Sequence, residues 1–252
     1  MPLKHHIAAS FARAAATYNS VAIVQTTAAT DLLNFYQQHS TVPPQTILEI
    51  GCGTGILSEK LLAVYPKATY LFTDIAEKML HQHRATVEHN GMYVVADGEN
   101  LPLTEKFDLI ISNMTCQWFS TLWQSLEKLT ENLKFGGVLC VNLLSNETFQ
   151  EWRNALETAG AVDVGLHYPA ASAIQNHAFS GCTTTKKWQT IQERYPTRQH
   201  FTNALKNLGV QAANGVVSRG VLRKALAHFV SQEITVTYAI HLLFIQRQRC
   251  PL

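Results

Sequence analysis

The sequence has no long block of Lys and Arg, no apolar window of membrane-spanning length and no Cys-x-x-Cys pair. Each absence removes a class of function. A formal net charge of +2 over 252 residues provides no basic face for a nucleic-acid backbone. Without about 20 consecutive apolar residues no membrane-crossing helix is expected, and Met1–Ser10, with two His and no apolar centre, does not read as a signal peptide. The five cysteines, Cys52, Cys116, Cys140, Cys182 and Cys250, are odd in number and scattered. They form no cluster with His at metal-ligand spacing, so no metal is expected, and they read as reduced thiols of a cytoplasmic protein. A His/Asp or Cys/His constellation for nucleophilic chemistry is also missing. The eleven His therefore read as surface or core residues.

What is plentiful is apolar surface: 46% of residues are hydrophobic and 15% charged, enough for a substantial core in one domain, 1–252. The chain is organised around Ile47-Leu48-Glu49-Ile50-Gly51-Cys52-Gly53-Thr54-Gly55-Ile56-Leu57. An apolar run ends in an acid and three alternate glycines, then an amphipathic segment begins. That is a buried strand, a tight turn and a helix, with glycines where a Cβ would collide with a close-packed ligand.

Before it stand two helices, 4–18 and 20–38, closed by Pro43-Pro44. After it, strands at 68–73, 92–96, 107–112 and 138–144 alternate with helices, and Lys134-Phe135-Gly136-Gly137 reads as a helix cap. The alternation predicts an α/β, doubly wound, Rossmann-like fold with a mostly parallel seven-stranded sheet. Helices at 148–159, 198–208 and 218–230 and strands at 188–195 and 234–245 complete it, while 162–182 has no clear pattern. Asp74 follows the second strand, about 20 residues past the glycines, where nucleotide folds place a ribose-gripping acid. Gly51–Gly55, Asp74, Asp97 and Asn113–Gln117 all follow strand ends and so converge on one crevice. The N-terminal section, 1–42, is expected to cover it as a helical lid, with 45–145 as the core and 146–252 on the far side.

The glycine rhythm, with Glu49 two residues ahead, resembles motif I of class I S-adenosylmethionine (SAM)-dependent methyltransferases. The segments Ile7–Tyr18 (IAASFARAAATY), Leu109–Trp118 (LIISNMTCQW), Leu205–Gly209 (LKNLG) and Thr237–Ile240 (TYAI) resemble those of the malonyl-[acyl-carrier protein] O-methyltransferases of biotin synthesis. Val141-Asn142-Leu143-Leu144 departs from the small hydroxyl residues expected there, and 165–187 aligns with nothing in the family.

The resemblance implies methyl transfer from SAM to the free carboxyl of a malonyl thioester on acyl-carrier protein, by a monomer. It places Gly51, Gly53 and Gly55 at the methionine end of SAM and Glu49 at its amino group. Asp74 would take the ribose hydroxyls and Asp97 the adenine amine, with Cys52, Ile75, Gly98 and Asn113 in the same wall. Tyr18 would touch the substrate, Gln117 would offer its amide to the carboxylate or thioester carbonyl, and Lys206 or Arg153 would anchor the carboxylate. Trp118 reads as core. Lys186, Lys187, Arg194, Arg198, Arg219, Arg223 and Lys224 would form a basic rim for the acidic carrier. Two other readings stay open: a methyltransferase acting on another small molecule, and a non-catalytic subunit with the same fold.

Overall fold

The structure is a computed structural model that describes residues 2–102, 104–161, 168–207, 218–229, 231 and 233–249. The apolar, β-branched runs become strands β1 (Thr46–Ile50), β2 (Thr69–Asp74), β3 (Met92–Val95), β4 (Phe107–Ser112) and β5 (Leu133–Leu144). All their pairings with one another are parallel. The last strand in sequence, β7 (Ile234–Arg247), lies antiparallel between β5 and β6 (Cys182–Tyr195). The order across the sheet is β3-β2-β1-β4-β5-β7-β6.

Continuous apolar strands need cover on both faces. The helices α2 (Ile23–His39), α3 (Ile56–Val64), α4 (Glu77–Thr86) and α6 (Gln150–Thr158) cover one face, with Leu32, Leu61, Leu80 and Trp152 in its core. On the other, α5 (Leu122–Glu131) and α7 (Ala171–Asn176) contribute Leu126, Leu129 and Ile174. The crossovers change face between β1 and β4, so a crevice opens at their carboxyl ends. Two further helices, α8 (Arg198–Asn207) and α9 (Arg219–His228), lie between β6 and β7 in the chain. No helix among the described residues is long and apolar enough to cross a membrane.

Three expectations need correction. The first helix, α1 (Pro2–Ala14), stops short of Tyr18, which opens a 3₁₀ turn, Tyr18–Ser20. The polar Thr17-Tyr18-Asn19-Ser20 run favours turns over helix: Thr17 Oγ1 and N–H both bond back to the Ala14 carbonyl. Lys134–Gly137 lies inside β5 rather than capping α5, and the register against β4 shifts there between Phe107 and Leu109. The two glycines accommodate a bulge, and a Cβ on Gly137 would meet the Phe107 carbonyl at 2.8 Å. Finally, β6 begins at Cys182 rather than residue 188. Its opening Thr183–Lys187 is polar because β6 is an edge strand.

Candidate active site

The loop after β1 turns through the left-handed region at Gly51, Gly53 and Gly55, with φ of 65°, 54° and 101°. A Cβ on Gly51 would strike the Thr115 side chain at 2.3 Å, and one on Gly55 would strike Val87 at 2.4 Å. Gly51 and Gly53 line the crevice; Gly55 does not, and serves instead as the N-cap of α3 against the end of α4. The glycine pattern thus serves turn and packing as well as ligand approach.

Around the loop stand the acids. Glu49 is 2% exposed and lines the crevice from β1. Asp74, at the end of β2, accepts the Gly53 N–H at 3.0 Å through Oδ2 and the Ala76 N–H at 2.8 Å through Oδ1. These bonds fix its carboxylate in the crevice wall, while burial, outweighing them, raises its pKa to about 6. Asp97, just past β3, accepts the Glu99 N–H at 3.1 Å.

Asp97 is also gripped by α1. Lys4 of α1 donates to Asp97 Oδ1 at 2.6 Å and pairs with Glu99 Oε2. Glu99 also takes the Ser120 and Thr121 N–H groups just ahead of α5, at 2.9 and 2.8 Å. Burial works against its charge, but Lys4 and these donors pull its pKa down to about 2. Neither Lys4 nor Glu99 has a local signature in the sequence; only the fold brings them together.

Ile7, Phe11 and Tyr18 close the crevice from the N-terminal section, and Cys52, Ile75, Gly98 and Asn113 complete its wall. It holds about 870 Å³ of non-atom space, its open mouth included. A smaller space of about 390 Å³ adjoins it. Phe11, Tyr18, Gln25, Met114 and Trp118 stand in both. Gln117, Leu144, Phe149, Tyr168 and Tyr238 line the second alone. Trp118 is therefore not core: it takes the edge of Phe11, ring centroids 5.5 Å apart, at the seam of the two chambers.

The backbone is strained at this seam. Met114 and Phe149 are the non-glycine residues with positive φ among those described, at 52° and 58°, and both line the second chamber. Met114 is held by Asn142, which accepts its N–H at 2.6 Å and donates to Asn113 Oδ1 at 2.6 Å. Asn113 in turn donates to the Gln25 carbonyl of α2 at 3.1 Å. A polar residue within the apolar run of β5 was the sequence signal for this clamp, visible as a departure from the family pattern.

The expected substrate residues are placed unevenly. Tyr18 stands in both chambers. Gln117 spends its amide N–H on the Met114 carbonyl at 2.7 Å, and its buried Oε1 has no partner among the described residues. Tyr238, in the wall of the second chamber, donates its hydroxyl to buried Glu193 at 3.1 Å. Arg153 is half-buried on α6 but lines neither chamber. Lys206 falls in α8, and its side chain lies outside the described residues. Of the basic rim, Lys186 donates to the Gln175 and His177 carbonyls and Arg198 to that of Phe229. Lys187, Arg194, Arg219, Arg223 and Lys224 are exposed.

The donor set fits SAM. Two strand-end carboxylates suit hydroxyl and amine donors of a nucleoside, a third acid suits an ammonium, and a bare glycine turn admits the ligand between them. Strand order and strand-end constellation together define a class I SAM-dependent methyltransferase.

Residues 47–137 match the family model described as a methyltransferase domain. The malonyl-[acyl-carrier protein] O-methyltransferase of Magnetococcus marinus is 30% identical over 236 residues, 91% of this chain and 87% of that one. The biotin biosynthesis bifunctional protein BioCD of Bordetella avium is 32% identical over 236 residues, 92% of this chain and 50% of its own length. Among solved structures, the YcgJ protein of Bacillus subtilis shares the fold, with a TM-score of 0.63 at 14% identity over 88% of this chain and 99% of that one. The chain belongs to the malonyl-[acyl-carrier protein] O-methyltransferase family.

Proposed function

We infer that this protein methylates the free carboxyl of a malonyl thioester carried on acyl-carrier protein, giving its methyl ester at an early stage of biotin synthesis. Family membership supports the reading, and one observation carries it structurally: a crevice lined by three strand-end carboxylates shares the walls Phe11, Tyr18, Met114 and Trp118 with a second, largely aromatic chamber. When bound, SAM supplies an electrophilic methyl group. A malonyl carboxylate, with an ordinary pKa near 4, is an anion at neutral pH and needs no base. The work left to the chain is orientation and exclusion of water.

In this reading Asp74 takes the ribose hydroxyls, Asp97 the adenine amine and Glu49 the amino group. Asp97 then exchanges its bond to Lys4 for one to the ligand, or shares it. Tyr18, Phe11 and Trp118 form the collar through which the carboxylate meets the methyl group. Met114, fixed by Asn142, sets the depth of that collar. The unpaired Oε1 of Gln117 accepts a donor from the substrate side, such as an amide N–H of the pantetheine arm. Lys206 remains the proposed anchor of the carboxylate. The reading places the reaction in the cytoplasm, where the unpaired thiols of Cys52, Cys116, Cys140 and Cys182 would stay reduced, and on a monomer.

The test is incubation with SAM and malonyl-acyl-carrier protein, followed by mass detection on the carrier. A gain of one CH₂, reversed by ester hydrolysis, is expected. Methylation of other small molecules with no gain on the malonyl carrier would overturn the substrate while leaving the class intact.

A further inference from the structure

Behind the glycine loop four groups from four elements form one hydrogen-bonded line. Glu49 Oε2 accepts from Ser58 Oγ at 2.6 Å. Ser58 Oγ lies 2.7 Å from His83 Nε2, and His83 Nδ1 lies 3.2 Å from the Tyr93 hydroxyl. Ser58 and His83 are fully buried, while Tyr93 is half-buried on edge strand β3. Ser58 has one hydroxyl hydrogen. Given to Glu49, it obliges His83 Nε2–H to donate to Ser58 and leaves a bare Nδ1 for the Tyr93 O–H. Every member then donates toward an ionised Glu49.

The reversed line closes equally well. A protonated Glu49 donates to Ser58, Ser58 to a bare Nε2, and Nδ1–H to the Tyr93 oxygen. Passing between the two moves one proton: solvent supplies it at Tyr93, each member hands one on, and Glu49 receives it. His83 changes tautomer but not charge. Burial supports this, lowering the His83 pKa to about 4. It also raises that of Glu49 to about 8 against the Ser58 hydrogen bond, with the charge of Asp74 adding to the rise.

We propose that Glu49 is a proton-coupled receptor for the cofactor's ammonium group, with Ser58, His83 and Tyr93 as positioning residues that load and unload it, so that cofactor binding at neutral pH expels a proton. The proposal rests on the SAM reading of the crevice. The other titratable or charged groups facing the line are Asp74 and Tyr70 of β2, Cys52 of the glycine loop, Arg84 of α4 and His89 just after it. Arg84 lies over the Tyr93 ring at 4.4 Å. Burial keeps the Cys52 thiol and the Tyr70 hydroxyl well above their ordinary values, and Asp74 is ionised above pH 6. Glu49 is therefore the acid that changes state between pH 7 and 8. A cation stabilises its ionised form, so binding below that range must release the proton, and affinity must fall as pH falls.

The test is calorimetry of S-adenosylhomocysteine binding in buffers of different ionisation enthalpy, with 5′-methylthioadenosine as the same nucleoside lacking the amino acid. Close to one proton should leave with S-adenosylhomocysteine at pH 7 and none with 5′-methylthioadenosine. The dissociation constant of the former should fall about fivefold from pH 7 to pH 8. Glu49→Gln should abolish both the release and the slope. Ser58→Ala removes a bond that favours the ionised acid, so its binding curve should shift to higher pH and converge on the wild type. Equal weakening at every pH would mark Ser58 as merely structural and overturn its role. Proton-neutral binding of S-adenosylhomocysteine, or release that persists in Glu49→Gln, would overturn the proposal. Failure of both ligands to bind at any pH would overturn the SAM reading beneath it.

Discussion

The two chambers that meet at Met114 are built by opposite means. The first is assembled from the ends of consecutive parallel strands and presents carboxylates, each aimed by backbone donors or by a buried hydroxyl. The second is assembled from side chains far apart in sequence, Phe11, Tyr18, Gln117, Phe149, Tyr168 and Tyr238, and presents mainly aromatic surface. Under the proposed function, the difference separates fixed polar contacts to a cofactor from aromatic surface that holds a substrate. A cationic nucleoside is recognised group by group. A carboxylate that is already a nucleophile needs chiefly to be held still and stripped of water.

The largest expected effect tests whether the second chamber exists without the N-terminal section. Deleting residues 1–18 removes Phe11 and Tyr18 from both walls and should reduce turnover below detection. Far-UV circular dichroism should stay close to that of the full chain, because the sheet is covered by α2–α6. Full activity in the truncated protein would dissolve the comparison. Next comes the first chamber alone. Charge-assisted hydrogen bonds contribute roughly 1.5–3 kcal/mol, so Asp74→Ala should weaken SAM binding about 10–150-fold. The dissociation constant measured on folded protein decides it, and unchanged affinity would remove Asp74 from the cofactor site.

The seam gives a smaller effect of another kind. Asn142→Leu leaves the Met114 N–H without its acceptor, at a cost of about 1–3 kcal/mol. The melting temperature should drop about 2–4 °C for each kcal/mol in a chain of this size. Turnover should suffer more than SAM affinity, since Met114 borders both chambers; equal losses would mean that Asn142 acts on stability only. The smallest effect lies outside both chambers. Arg219 and Arg223 stand four residues apart, on one exposed face of α9. Reversing both to Glu should raise the KM for the malonyl carrier, blunt its salt dependence and spare a small malonyl thioester. Equal damage to both substrates would place carrier docking elsewhere.

The same contrast explains how much was legible in the sequence. The first chamber follows from local rules: apolar runs become parallel strands, glycines turn the chain, and ligands bind at strand ends. Glu49, Asp74, Asp97 and Asn113 could therefore be named in advance, and all line the crevice. The second chamber obeys no period. Trp118 reads as core from its neighbours, and only the position of α1 turns it into a wall. Tyr168 stands in a stretch without pattern, and Asn142 announced itself only as a misfit. His83 looked like one scattered histidine among many, because its partners Glu49, Ser58 and Tyr93 meet it only when β1, α3, α4 and β3 are stacked. Polar Thr183–Lys187 hid the start of β6, since an edge strand need not look apolar.

Phe11 and Tyr18 give the lid a kinetic meaning. Because both rings stand in the walls of both chambers, displacing the N-terminal section, as the proposed lid requires, would open the two in a single event. The residence times of cofactor and substrate would then be tied to one clock, the departure rate of that section. Its partner Glu99 is held independently by the Ser120 and Thr121 N–H groups, so reclosure would find its anion already in place. If release limits turnover, kcat would report the lifetime of the closed lid.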